Sequence, residues 1–148
     1  MADSKIVVFQ DKQIRRAWMN EQWYFSIADV VEFLTDSVDV KQYIKRMRQR
    51  DPLLNRNWGT ICTPVAMIAA DGRRRSVQAA DVKGLFRIIQ SIPSPKAEPF
   101  KQWLAQVGYE RVQEIENPEL AQERMKAVYE AKGYPKDWID KRLRGIAI

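Results

Sequence analysis

Histidine is absent from the chain, and cysteine occurs once, at Cys62. The first absence removes the commonest general base near neutral pH, and the two together remove the ligand cluster that a structural zinc needs. A lone cysteine also excludes an internal disulfide, which suits a reducing compartment. With no histidine to activate it, Cys62 reads as a small strand residue in the stretch Thr60-Ile61-Cys62-Thr63 and not as a nucleophile. The chain also lacks a Gly-rich phosphate loop, a nucleophile elbow and any acid pair at a telling position, so neither an enzyme nor a cofactor is expected. A carboxylate-based nuclease would need a metal-binding spacing of acids that is not found. No apolar run approaches the roughly 18 residues needed to cross a bilayer, so no membrane partner is expected. The opening Met-Ala-Asp-Ser-Lys has no apolar h-region, and the expected location is the cytoplasm.

What the chain does have is positive charge, unevenly placed. The formal net charge is +6 over 148 residues. From Lys41 to Arg56 there are six basic residues against one acid, Asp51, whereas Glu110 to Glu123 runs acidic. A patch of one sign points to an anionic partner more strongly than the modest total does. At 45% apolar, the length fits one domain with a real core, alone or followed by a helical extension.

The basic patch lies on a helical pattern. Ile27, Val30, Val31 and Leu34 recur at i, i+3, i+4 and i+7 after Ser26, whose side chain together with that of Asp29 can cap the first turn as an acidic capping box. Past Thr35-Asp36-Ser37, Val40, Tyr43, Ile44 and Met47 repeat the pattern. Here Lys41, Lys45 and Arg48 form a stripe beside the apolar face, with Gln42, Arg46, Gln49 and Arg50 on the remaining surface. Arg and Lys neutralise phosphates or reach guanine, and Gln reads adenine, so this surface carries side chains that DNA recognition uses. A solvated Lys/Arg-rich helix that binds nothing has the same pattern.

Before these helices, Ile6 to Phe9, Ile14 to Met19 and Trp23 to Phe25 read as strands of an antiparallel meander, with turns at Asp11-Lys12 and Asn20-Glu21-Gln22. Asp71-Gly72 suits a two-residue type I′ turn between Met67 to Ala69 and Arg74 to Gln78. Arg73, Arg74 and Arg75 follow this turn and are placed to straddle a phosphate backbone, or else simply to keep the turn soluble. The rest is helical. Asp81 caps a helix with Val82, Leu85, Phe86 and Ile89 inward, Ser94-Pro95 starts another with Phe100, Trp103, Leu104 and Val107 as a core stripe, and Asn117-Pro118 to Lys132 places Ala121, Met125, Val128 and Tyr129 inward before Gly133. A last helix runs from about Lys136 to Leu143. Of the tryptophans, Trp18, Trp23, Trp103 and Trp138 sit in apolar or strand patterns and are expected in the core, whereas Trp58 lies among polar residues as an aromatic contact candidate. The fold class is α+β: a small antiparallel sheet with hairpins packed against short helices, followed by a C-terminal helical region.

Several of these blocks, taken in order, resemble the Bro family N-terminal domain. They are the Trp-Tyr-Phe-Ser strand running into Ile-Ala-Asp-Val-Val, the basic helix, Gly84-Leu85-Phe86 with Ile88-Ile89, and Ser94-Pro95-Lys96-Ala97 with Phe100-Lys101-Gln102-Trp103-Leu104. The resemblance covers about Ile6 to Glu116 and is strongest to prophage antirepressors and DNA-damage-inducible protein D. It implies a DNA-binding α+β domain over 1–116 and a helical extension over 117–148 that continues past Ile148. It also implies a regulatory role without a catalytic centre. Expected partners are duplex DNA and, for an antirepressor, a repressor protein, with a homo-oligomer left open. The expected DNA-binding residues are Lys41, Gln42, Lys45, Arg46, Arg48, Gln49, Arg50, Arg73, Arg74 and Arg75. Phosphate neutralisation would supply affinity, and Gln42, Lys45, Arg46 and Gln49 are the candidates for base edges.

Overall fold

The structure, a computed structural model, describes residues 13–147. The strand expected over Ile6 to Phe9 lies outside the described residues. Among them, four antiparallel strands, β1 (Arg16–Met19), β2 (Gln22–Ser26), β3 (Thr63–Ile68) and β4 (Arg74–Ala80), pair in the order β1-β2-β4-β3. With the helices described below, this is the α+β architecture expected from the sequence.

Both hairpins owe their shape to residues that accept a left-handed backbone. Asn20 and Glu21, at φ 53° and 63°, form a two-residue loop, because Gln22 is already paired with Met19. In the second hairpin only Gly72 has positive φ, 81°, and its amide donates to the Ala69 carbonyl at 2.9 Å while the Ala69 amide donates to the Arg73 carbonyl at 2.8 Å. The loop is therefore three residues, Ala70 to Gly72, and not the two-residue Asp71-Gly72 turn expected. A β-turn closed by glycine in the left-handed region absorbs the extra residue.

The sheet curls until Arg15, just before β1, reaches β3, its Nη1 donating to the Ile68 carbonyl at 3.3 Å. Inside the curl Val65, Met67 and Ala79 are buried, with Ala17, Met19, Tyr24 and Val77 packed against them. Helices α1 (Ile27–Thr35) and α4 (Val82–Ile89) pack on β2 and β4. They bury Ile27, Val30, Val31 and Leu34 from α1 with Leu85, Ile88 and Ile89 from α4, each worth roughly 1.5 to 3 kcal/mol. Ser26 caps α1 by accepting from the Asp29 amide at 3.3 Å. The Asp29 carboxylate does not complete a capping box. It accepts instead from the Arg15 amide (2.9 Å), Nε (2.7 Å) and Nη2 (3.0 Å), tying the approach to β1 onto α1.

Between α1 and β3 lie two helices. The first, α2 (Val40–Arg50), starts at Asp39, whose carboxylate accepts from the Gln42 amide at 3.1 Å. The second, α3 (Pro52–Ile61), stands where the sequence suggests a polar loop around Trp58. Its start is chemically well marked: Asp51 accepts from the Leu54 amide at 3.0 Å, and Pro52 fills a position whose amide would have had no partner. Cys62 ends the helix and is buried just before β3.

The described residues form two compact units, one ending at Lys101 and the other running from Gln102 onward. Near the end of the first, Ser94 caps a 3-10 turn, Pro95–Ala97, leading into α5 (Glu98–Glu116), with Phe100 buried. The second unit holds most of α5 with α6 (Glu119–Ala131) and α7 (Lys136–Ala147). There the expected core stripes fail in part. Trp103 and Leu104 are only half-buried, Val107 and Val128 are exposed, and α6 buries no side chain, while Ile139 and Leu143 of α7 are buried. Asn117 supplies no side-chain cap to α6, but Gly133 closes it at φ 84° as expected. Glu114 is buried because Arg124 clasps its carboxylate, with Nη2 donating at 2.7 Å, and this partner holds the carboxyl below the usual range. Trp18, Trp23 and Trp138 are not core residues either: they are 61%, 43% and 41% exposed.

Candidate nucleic-acid interface

Helix α2 turns Met47 fully inward, and Val40, Tyr43 and Ile44 are half-buried beside it. That roll leaves Lys41, Lys45, Arg46, Gln49 and Arg50 exposed, and none of their side chains makes a hydrogen bond or ion pair among the described residues. Neither α2 nor α3 contains an acidic residue. The one acid between them, Asp51, is occupied by the Leu54 amide, Ser91 Oγ (2.6 Å) and Arg87 Nη2 (3.1 Å). Those hydrogen bonds, the Ser91 hydroxyl foremost, lower its carboxyl to about 2. Among the described residues the α2 cations are therefore not neutralised, and their field acts outward from this part of the surface.

Arg48 and Gln42 stand apart from this exposed set. Gln42 is half-buried. Arg48 bends toward α3, where Nε donates to Asn55 Oδ1 at 2.9 Å and the guanidinium lies 4.8 Å from the centre of the Trp58 ring. The arginine expected on the outer stripe thus braces α2 against α3, and Trp58, expected as an open aromatic contact, is partly covered by it.

Arg73, Arg74 and Arg75 are all exposed at the β3–β4 turn. The strand register sets Arg74 opposite Ile68 and Arg75 opposite Met67, so these two arginines leave on opposite faces. Arg75 is engaged with Asp71, Nη2 to Oδ2 at 2.6 Å, and this contact is the largest cause of the lowered Asp71 carboxyl. No hydrogen bond or ion pair among the described residues joins the hairpin arginines to α2.

Two sets of exposed residues escaped the sequence reading. Trp18 and Trp23 sit directly opposite each other across β1 and β2 with ring centres 5.2 Å apart at 70°, and the Arg16 guanidinium is 5.7 Å from the Trp23 ring. The outer residues of α3 were missed because the helix was, although Asp51-Pro52 announces it.

Among the described residues no group of three or more His, Cys, Asp or Glu is placed to hold a metal ion, and burial pushes the Cys62 thiol up to about 12. No helix among them is long and apolar enough to cross a membrane.

Comparison with curated proteins and with solved structures gives no match. Comparison with protein families matches residues 13–110 to the BRO family, N-terminal domain. That span takes in both hairpins, α1 to α4 and most of α5, and the domain is associated with DNA-binding regulatory proteins. On this match the chain belongs to the BRO family through its N-terminal domain.

Proposed function

We propose that the protein is a non-enzymatic, cytoplasmic regulator that binds duplex DNA through α2 and the β3–β4 arginine turn, in the manner of a prophage antirepressor-like protein. The observation that carries this reading is the set of exposed cations on α2, Lys41, Lys45, Arg46 and Arg50, whose side chains have no partner among the described residues, on a helix pair without acids. Each can displace a condensed counterion from a phosphate, which yields affinity without sequence preference. Arg73 and Arg74 add a second point of contact, while Arg75 must first leave Asp71. Arg48 contributes by holding α2 on α3 and not by touching DNA.

The test is binding of a labelled random-sequence duplex. A variant carrying Lys41→Glu, Lys45→Glu and Arg46→Glu should lose binding at moderate salt while keeping its thermal melt, since all three side chains point to solvent. Undiminished binding by the folded variant would remove α2 from the interface.

A second reading, an antirepressor that holds a repressor protein, is favoured by a different observation. Along α5, Tyr109, Val112 and Ile115 are exposed next to Glu110 and Glu116, an apolar strip with an acidic border of the kind a protein partner covers. Such an interface would hold at salt concentrations that abolish DNA binding.

A further inference from the structure

Helix α3 turns Leu54, Trp58 and Ile61 inward, Leu54 being fully buried. An exposed flank, about 115° round the helix from that face at 100° per residue, carries Leu53, Arg56, Asn57 and Thr60 at i, i+3, i+4 and i+7. These four therefore make a single outward stripe along a helix about 15 Å long. Their chemistry differs from that of α2. Arg offers a donor pair that matches guanine O6 and N7, Asn a donor and acceptor that match adenine N6 and N7, Thr a hydroxyl and a methyl, and Leu an apolar contact for the thymine methyl.

We propose that α3 is the base-reading helix, with Arg56 and Asn57 the principal contacts to base edges in the major groove, while α2 supplies phosphate contacts. This rests on the DNA-binding reading above. Side-chain length supports the division of labour. Asn57 and Thr60 are short, so they contact only what the helix backbone closely approaches, whereas the long α2 cations reach flanking phosphates. Base reading also needs a helix held in fixed position, and α3 is fixed at several points. Its N-cap, Asp51, is tied to Arg87 of α4 and to Ser91 just after it, Asn55 and Trp58 are held by Arg48, and Leu54 is locked in the core. Asn57 and Thr60 also border a cleft of about 590 Å³ with Lys83 on its lining, which sets a further cation close to the stripe. The α2 side chains are less suited to reading bases, since Gln42 is half-buried, and Lys45 and Arg46 have no partner among the described residues to fix their geometry.

The experiment is selection from a randomised duplex library with the full chain, followed by affinities for the enriched sequence and for random duplex. The wild type should enrich a short motif. Asn57→Ala, which changes no charge, should keep the wild-type salt slope on random duplex, yet lose about 5- to 100-fold of its preference at one or two positions. Arg56→Ala should relax a different position, while Gln42→Ala and Gln49→Ala should enrich the wild-type motif. The assignment to α3 is overturned if Asn57→Ala and Arg56→Ala enrich the wild-type motif unchanged, if the α2 glutamine variants alter it instead, or if the wild type binds duplex but enriches nothing. A wild type that binds no duplex at any salt concentration would overturn the DNA-binding reading itself and this assignment with it.

Discussion

Asp51 accepts a hydrogen bond from Ser91 Oγ at 2.6 Å, closing a span of 40 residues between the α2–α3 corner and the end of α4. The same carboxylate caps α3 and receives Arg87, so one side chain fixes the corner from which the basic helix and its neighbour diverge. Its carboxyl is lowered from 3.8 to about 2. Because the folded state favours the charged form, this contribution to stability is present above about pH 4 and is lost as pH falls through about 2. Asp51→Asn should therefore unfold at lower urea than the wild type at pH 6, and the gap between the two should narrow as pH approaches 2. A gap independent of pH would mean that the charge of Asp51 is not what holds the corner.

Gly84 lets α4 approach the end of α3. A methyl group there would lie 3.0 Å from Ala80 Cβ, 3.1 Å from Ile61 Cγ2 and 3.1 Å from the Ile61 carbonyl oxygen, and the last cannot rotate away. Gly84→Ala should destabilise by about 1 to 2 kcal/mol, since overpacking outweighs the gain in helix propensity. A more stable variant would show that α3 and α4 can separate freely.

Cys62 is buried and its thiol is raised to about 12 by that burial. It should resist alkylation by iodoacetamide at pH 8 in the folded protein and react promptly in urea. Rapid reaction under native conditions would place the α3–β3 junction in exchange with an open form.

Much of this framework was legible in the chain. Helices α1 and α2 were, because Ser26 and the period of Ile27, Val30, Val31 and Leu34, then of Val40, Tyr43, Ile44 and Met47, report which side is covered. Helix α3 was not, since Asn55, Arg56 and Asn57 interrupt any apolar run and Leu54, Trp58 and Ile61 are too few to advertise a face. The role of Arg48 went with it, as its partners Asn55 and Trp58 belong to that unseen helix. Trp18 and Trp23 lie in strand patterns, but such a pattern cannot say whether anything covers a given side of the strand, and Trp18 and Trp23 are both exposed. The same holds for Val107 and Val128: spacing defines a face, and only tertiary packing decides whether the face is buried.

The β3–β4 arginines can be separated from a merely soluble turn by salt dependence. Changing Arg73, Arg74 and Arg75 together to Gln should lower the magnitude of the slope of log affinity against log salt by about 2 and not 3, because Arg75 is already engaged with Asp71. The turn should persist, since its shape depends on Gly72 and the Ala69 hydrogen bonds. A wild-type slope in this variant would return the three arginines to the solvated surface and confine DNA contact to α2 and α3.

The most direct test of duplex binding by unpaired cations is titration of the unmodified chain with a random-sequence duplex across a range of salt concentrations. With Lys41, Lys45, Arg46 and Arg50 on phosphates, and Arg73 and Arg74 added when the turn engages, log affinity should fall linearly with log salt at a slope of magnitude about 3.5 to 5.5. Saturable binding with a slope near zero, or no binding even at low salt, would contradict duplex binding by these cations.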